Sequence, residues 1–215
     1  MEAVRAFPSG SKLFAGADAT LEKLLPDVLQ RASLVHFAAH GVANERDPDE
    51  SFLLLAPATN GSGVLKVADV PHFDWTGRTV VLSACDTSVG SLHLGEGVLS
   101  LARGFFSGGA STVIGTLSQV RDDDQRSLFH AFYAGLRRGM SVGEAMTEAK
   151  RALIRTGAPP AAWANVIVLG DATVHPRAPE PTWPRWTVLG GSLGGLVVVL
   201  LGLRARRRKR TPTSA

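Results

Sequence analysis

Short apolar runs alternate, along the first 170 residues, with segments whose apolar residues recur at helical spacing. The central run, Val80–Cys85, is bounded by charged and small polar residues, a pattern that predicts a strand buried in a parallel sheet. Similar runs predict further strands at residues 33–40, 51–56, 111–117 and 163–169. Because strands that alternate with helices form a mainly parallel sheet covered on both faces, we expect a three-layer α/β/α domain over residues 1–170.

Helical spacing marks the segments between these strands, at residues 18–30, 65–73, 95–107, 122–138 and 141–155. The first contains Pro26, which fits poorly inside a helix. Gly139 is a stop signal after the fourth. Ser141 and Glu144 form the S-x-x-E pattern of a capping box, which predicts where the last helix begins.

Positive charge is concentrated at the carboxyl end of the chain. Six of the 23 basic residues follow Leu203, namely Arg204, Arg206, Arg207, Arg208, Lys209 and Arg210. The remainder has 17 basic against 19 acidic residues, a net charge of about −2, which argues against binding along a nucleic-acid backbone. The single cysteine, Cys85, cannot form an internal disulfide and suits a reducing compartment.

An uncharged stretch near the carboxyl end predicts a single-pass transmembrane helix. Residues 171–185 contain four prolines and form an extended linker, and residues 186–203 are 18 residues without a charge. As a helix that stretch is about 27 Å long, close to the bilayer core of about 30 Å. Trp183 and Trp186 flank one end and the basic tail, residues 204–215, the other. A buried terminal helix is the alternative.

Two observations disagree about the orientation of this helix. The positive-inside rule places the basic tail in the cytoplasm and the domain outside, whereas Met1–Ala6 lacks the features of a secretory signal. We expect a domain that faces the cytoplasm. Two pairs of glycines are spaced four residues apart in this stretch: Gly190 with Gly194, and Gly191 with Gly195. They would let two such helices pack closely as a homodimer. The alternative is that they are glycines tolerated in an apolar span.

Two predicted strands end in a side chain that is suited to catalysis. Ligands of open α/β sheets bind at the edge formed by the carboxyl ends of the strands. The two side chains are His40, which precedes Gly41, and Cys85. A neighbouring imidazole activates a thiol as a nucleophile, and the N–H groups of Gly41 and Cys85 would bind an oxyanion. A cysteine at a strand end is equally often a small buried hydrophobe, so the residues alone leave both interpretations open.

The other histidines lack a partner motif. His36, four residues before His40, would point to the same face of a continuous strand, and we expect it to pack in the sheet. The remaining four lie in predicted loops or helices and are expected to be ordinary surface or hydrogen-bonded residues: His72, His93, His130 and His175.

Several segments together resemble the CHAT domain family of caspase-like cysteine peptidase domains. They are HFAAHG (36–41), SFLLL (51–55), VVLSACDT (80–87), GEGVLSLARGFFSGGASTVIGTL (95–117) and FYAGL (132–136). The similarity covers about residues 17–170 in the order of the family. The His-Gly element, the Ser-Ala-Cys element and the Gly-Ala-rich strand are its most specific parts.

The resemblance implies a cysteine peptidase that cleaves protein substrates, with His40 and Cys85 as its dyad. It implies that Gly41 and Cys85 hold the oxyanion through their N–H groups, and that neither a cofactor nor a metal is needed. Asp86 follows the thiol and could contact a basic residue of the substrate, although a solvated turn aspartate is the simpler explanation. The expected partners are a protein substrate or signalling protein and the membrane, with no nucleic acid.

Two departures from the family keep a second interpretation open. The family usually has a tryptophan just after the Gly-Ala-rich strand, where this chain has Ser118. The amino-terminal segment is also short for the strand that opens a caspase-like domain, as in a fragment of a longer protein. A catalytically silent interaction or signalling module at the membrane is therefore the alternative function.

Overall fold

The computed structural model describes residues 11–42, 44, 46–58, 61–83, 96–117 and 122–176. Its strands are β1 (Leu34–Phe37), β2 (His40–Val42), β3 (Phe52–Leu54), β4 (Val64–Lys66), β5 (Thr79–Leu82), β6 (Thr112–Thr116) and β7 (Val166–Gly170). Its α-helices are α1 (Pro26–Leu29), α2 (Glu96–Ser107), α3 (Asp122–Arg137) and α4 (Val142–Arg155). The predicted mixed α/β class is confirmed.

The larger sheet has the strand order β1-β5-β6-β7. Strands β1, β5 and β6 are parallel and β7 is antiparallel to β6, so the prediction of a mainly parallel sheet is confirmed. Every residue of β5 and β6 is buried. Burial on both faces explains why these two runs are continuously apolar or β-branched instead of alternating with polar residues.

A second, antiparallel sheet has the order β2-β3-β4. It shows that the predicted single strand over residues 33–40 is wrong, because β1 ends at Phe37, the chain bends at Ala39, and His40 begins β2. Two alanines at positions 38 and 39 have little side chain to bury and do not hold the segment in the larger sheet. The backbone of β2 pairs with β3 instead.

The third strand of this small sheet, β4, corrects a second prediction. The sequence predicts a short helix over residues 65–73, but β4 occupies its start and a 3-10 turn, Val67–His72, occupies the rest. Leu53 of β3 and Leu65 of β4 pair across the sheet and are fully buried. This long-range apolar pairing outweighs the helical spacing of the segment.

The predicted helix over residues 18–30 is broken. Two 3-10 turns, Gly16–Asp18 and Leu21–Leu24, precede α1, which begins at Pro26. Leu25 has an extended backbone with φ −57° and ψ 150°, since the proline ring disfavours the helical conformation for the residue before it. Proline at the first position of α1 costs no hydrogen bond.

Helices cover both faces of the larger sheet. Val80 and Leu82 of β5 belong to the apolar cluster that contains α2, while Val81 belongs to the cluster that contains α3 and α4. The alternation follows from the two-residue period of a strand. Consequently β5 lies at the centre of both cores.

Helices α3 and α4 pack closely because a glycine faces an alanine. A Cβ atom on Gly135 would lie 2.8 Å from the Cβ of Ala145, closer than side chains can approach. The turn between the helices uses Gly139, with φ +84°, a conformation that favours glycine. The predicted capping box then opens α4: Ser141 Oγ accepts from the Glu144 N–H, and the Glu144 carboxylate accepts from the Ser141 N–H at 2.9 Å.

Candidate functional site

The carboxyl ends of β1 and β5 lie side by side at one edge of the larger sheet. Phe37 and Leu82 are register partners at these ends, and the Ser83 N–H donates to the Phe37 carbonyl at 3.0 Å. His40 follows Phe37 by three residues, and Cys85 follows Leu82 by three residues. The two candidate catalytic residues are therefore carried by segments that leave the same edge from neighbouring strands.

His40 is exposed and begins β2 opposite Leu54 of β3. Leu54 is itself 45% exposed, so this corner of the small sheet is open to solvent. The sequence predicts His40 as the last residue of a buried strand, whereas the structure places it after a bend, on a different sheet. An exposed imidazole at this place is accessible to a substrate.

Gly41, the predicted oxyanion donor, is buried in β2 opposite Leu53. Cys85 and Asp86, the predicted nucleophile and the substrate-contacting aspartate, lie outside the described residues. The structure thus gives the positions of His40 and of Leu82 and Ser83, the last described residues before Cys85.

His36 packs as predicted, against α3. Its Nδ1 atom is 2.7 Å from the Tyr133 hydroxyl in a hydrogen bond, and its ring lies 5.1 Å from the ring of Phe129. Burial lowers the pKa of His36 to about 4, because a charged imidazolium would lose its hydration there. Burial raises the pKa of Tyr133 for the same reason. Both groups are therefore neutral near pH 7.

The opposite side of β1 is fixed by aromatic contacts. The ring of Phe37 lies 5.7 Å from that of Phe105 on α2 and 6.1 Å from that of Trp75. The Trp75 indole N–H donates to the Val70 carbonyl at 2.9 Å, so this large side chain is both buried and hydrogen-bonded. His36 and Phe37 therefore pack on opposite faces of β1, just before the bend that leads to His40.

The connection between β2 and β3 is held by a buried serine that the sequence analysis did not identify. Ser51 is fully buried, and its Oγ accepts from the Asn44 N–H at 2.9 Å. The Asn44 side-chain oxygen accepts from the N–H groups of Arg46 and Asp47 at 3.1 Å each, which closes the turn. An Asn followed by a charged, proline-containing loop is the sequence signal that predicts such a turn.

No group of three or more metal-binding side chains occurs in the part of the chain that the structure describes. The site described so far consists of one exposed imidazole, a glycine strand and a polar turn. The exposed imidazole is suited to acid–base chemistry.

The structure is a mixed α/β domain in which β1, the strand before the His-Gly element, lies next to the buried strand β5. The family model of the CHAT domain matches residues 1–171. The chain belongs to the CHAT domain family.

Two individual proteins are similar to parts of this chain. Tetratricopeptide repeat protein 28 of Homo sapiens is 26% identical over an alignment of 197 residues, and the match covers 75% of this chain and 8% of the human protein. A solved structure described as "Structure of Protease" has a TM-score of 0.44 and 14% identity, and the alignment covers 74% of this chain and 38% of that chain. The chain thus spans about 8% of the length of the curated relative.

Within the described ranges, no helix is long and apolar enough to cross a membrane. The predicted span, residues 186–203, lies outside those ranges. It stays a prediction.

Proposed function

We propose that this CHAT domain is a cysteine peptidase with a caspase-like arrangement, in which His40 and Cys85 form the catalytic dyad. The observation that supports the proposal is the register of β1 with β5, in which Phe37 pairs with Leu82 at the same sheet edge. The exposure of His40 next to that edge supports it further. Membership of the CHAT domain family agrees with it.

The length of the two connecting segments allows the dyad to form. Cys85 is two residues beyond Ser83, whose N–H is bonded to Phe37, and two residues span at most about 7 Å. His40 is three residues beyond Phe37, a reach of at most about 11 Å. These short segments are compatible with contact between the thiol and the imidazole.

In the proposed reaction, the imidazole of His40 accepts the thiol proton of Cys85, and the thiolate attacks the carbonyl carbon of the scissile peptide bond. A carbon–sulfur bond forms, and the carbonyl oxygen becomes an oxyanion bound by the Gly41 and Cys85 N–H groups. The imidazolium then protonates the departing amine as the carbon–nitrogen bond breaks. Water, deprotonated by the imidazole, hydrolyses the thioester and regenerates the thiol.

Substrate selection in this proposal involves Asp86. A carboxylate directly after the nucleophile would favour a basic side chain next to the scissile bond. Comparison of peptides with arginine and with glutamine at that position tests this role separately from the dyad. Equal cleavage of the two peptides would remove Asp86 from the site.

The decisive experiment measures the alkylation rate of Cys85 at neutral pH. We expect Cys85 to react with iodoacetamide much faster than a free thiol of pKa about 8.5, and His40→Ala to reduce the rate to that of a free thiol. Cleavage of a peptide library by the parent and by Cys85→Ala then tests turnover. Equal alkylation rates in the parent and in His40→Ala would contradict the dyad.

A silent interaction module is the second candidate, and two observations favour it. His40 lies on a separate small sheet and not on the strand next to β5, and Ser118 stands where the family usually has tryptophan. A silent module predicts slow alkylation of Cys85, no peptide cleavage, and a stable complex with a protein partner that survives Cys85→Ala.

We also propose that residues 186–203 anchor the domain at a membrane as a single-pass helix, with the domain facing the cytoplasm. The support is the uncharged stretch of 18 residues flanked by tryptophans and by the basic tail. The paired glycines support homodimerisation of this helix. The full chain should stay in the membrane fraction under alkaline extraction, and Leu193→Arg, a charge close to mid-span, should release it.

A further inference from the structure

A groove on the outer face of α4 is separate from the candidate dyad. It has a volume of about 700 Å³ and lies between the end of α3 and the exposed side of α4, where Arg138, Glu144, Thr147, Glu148, Arg151 and Arg155 line it. The opposite side of α4 is buried against the core. A volume of this size falls within the usual range of ligand sites.

Within the described part of the chain, only some of the charged groups in the groove form an ion pair or a hydrogen bond. Arg138 and Glu148 form an ion pair at 2.8 Å, and the Glu144 carboxylate accepts from both the N–H and the hydroxyl of Ser141. Among the described residues, the guanidinium groups of Arg151 and Arg155 have no hydrogen bond or ion pair. The paired charges lie toward the start of α4, so the other end of the groove is positive.

Helix stability does not explain both arginines. Arg155 lies in the last turn of α4, where the helix dipole favours a cation, but Arg151 lies before that turn. Like charges four residues apart repel each other and destabilise a helix. Two negative groups bound in the groove would remove that repulsion.

We propose that this groove binds an extended acidic peptide segment of a partner protein, with carboxylates on alternate residues. Arg151 and Arg155 are separated by about 6 Å along the helix axis. Alternate side chains of an extended strand are separated by about 6.7 Å and point to the same side. Two carboxylates of such a peptide would therefore each face one guanidinium, a pairing that arginine makes with two hydrogen bonds.

The floor of the groove suits a peptide backbone. Gly139 lines it without a side chain and faces open space, which leaves room for close approach of a main chain. The distance along α4 from Glu144 to Arg155 is about 16 Å, the length of about five extended residues. The basic tail of this same chain, residues 204–215, is positively charged like the arginines of the groove and therefore does not suit it.

The test uses the full chain in detergent and a fluorescein-labelled heptapeptide of alanine and glycine with glutamates at its third and fifth positions. We expect saturable binding by fluorescence anisotropy that weakens as salt is raised. Arg151→Gln and Arg155→Gln should each weaken binding about fivefold, the upper range for one exposed ion pair. Arg103→Gln, which removes the same charge from the exposed side of α2, should bind within about twofold of the parent.

Peptide geometry provides a second control. A heptapeptide of the same composition with adjacent glutamates, whose side chains point to opposite sides, should bind more weakly. Cys85→Ala should bind like the parent, because the inference does not rest on the peptidase reaction. Equal binding by the parent and both groove variants would overturn the proposal. So would arginine-dependent binding to vesicles of phosphatidylserine without binding to the peptide.

Discussion

His36 and His40 are four residues apart and lie in opposite environments. The first is partly buried on the larger sheet, against Tyr133 and Phe129, with its pKa lowered to about 4. The second begins the small sheet and is exposed. The bend at Ala39 separates them, so one imidazole packs against α3 while the other is accessible to solvent. The difference shows that the strand boundary, and not the residue type, sets the environment of each imidazole.

The largest expected effect comes from removing the exposed imidazole. If His40 is the general acid and base, His40→Ala should lower kcat/KM for peptide cleavage by about 10²-fold to 10⁴-fold. Its melting temperature should stay near that of the parent, because His40 is not part of either core. Peptide hydrolysis and thermal unfolding measure the two quantities.

His130→Ala provides the matched control for this change, since His130 is an exposed histidine on α3. It should leave both the rate and the melting temperature unchanged. A His40→Ala protein that melts well below the parent but cleaves peptides normally would contradict the catalytic role proposed for His40.

The next largest effect is the acid sensitivity contributed by His36. In the unfolded chain its pKa is near 6.5, and in the folded protein it is about 4, so the unfolded state binds the proton first as pH falls. The contribution of neutral His36 to the free energy of unfolding should therefore be complete above pH 6.5. The free energy of unfolding should be lower by about 3 kcal/mol at pH 4. Urea unfolding at a series of pH values measures this slope.

His36→Asn removes the titrating group and should flatten the profile between pH 6.5 and 4. At pH 7 this variant should be less stable than the parent, because it loses the ring contacts with α3. An unchanged slope in His36→Asn would show that other groups cause the acid sensitivity.

Loss of the tyrosine hydroxyl should have a smaller effect. Tyr133→Phe keeps the ring packing and removes the hydroxyl that lies 2.7 Å from His36 Nδ1. A buried imidazole nitrogen that loses this partner costs about 1 to 2 kcal/mol. Chemical unfolding at pH 7 measures the loss. Because Tyr133 also touches the core, a variant as stable as the parent would mean that the hydrogen bond contributes nothing net.

The parts of the fold that could be predicted are those with local causes. The strand β6 is a run of buried residues within Thr112–Thr116, and α4 begins where Ser141 and Glu144 form a capping box. Each signal lies within a few neighbouring residues and is independent of distant contacts. The meeting of the carboxyl ends of β1 and β5 at one edge could also be predicted, since parallel strands bring those ends together.

The parts that could not be predicted depend on distant partners. Only the pairing of Gly41 with Leu53 shows that β2 is a separate strand, and period-two counting from His36 gives no sign of the change of sheet. Tyr133 is 97 residues from His36. The hydrogen bond from Asn44 to Ser51 likewise depends on how the loop closes over the small sheet. Sequence spacing does not contain this information.

The smallest expected effect tests whether that loop positions His40. Ser51→Ala removes the acceptor of the Asn44 N–H inside a fully buried site, which should cost about 1 kcal/mol of unfolding free energy. Ser127→Ala, which removes an exposed hydroxyl on α3, should cost less than about 0.5 kcal/mol. If the turn after β2 orients the small sheet, Ser51→Ala should also slow His40-dependent alkylation of Cys85 while Ser127→Ala does not. An alkylation rate unchanged by Ser51→Ala, together with the expected loss of stability, would limit Ser51 to a structural role.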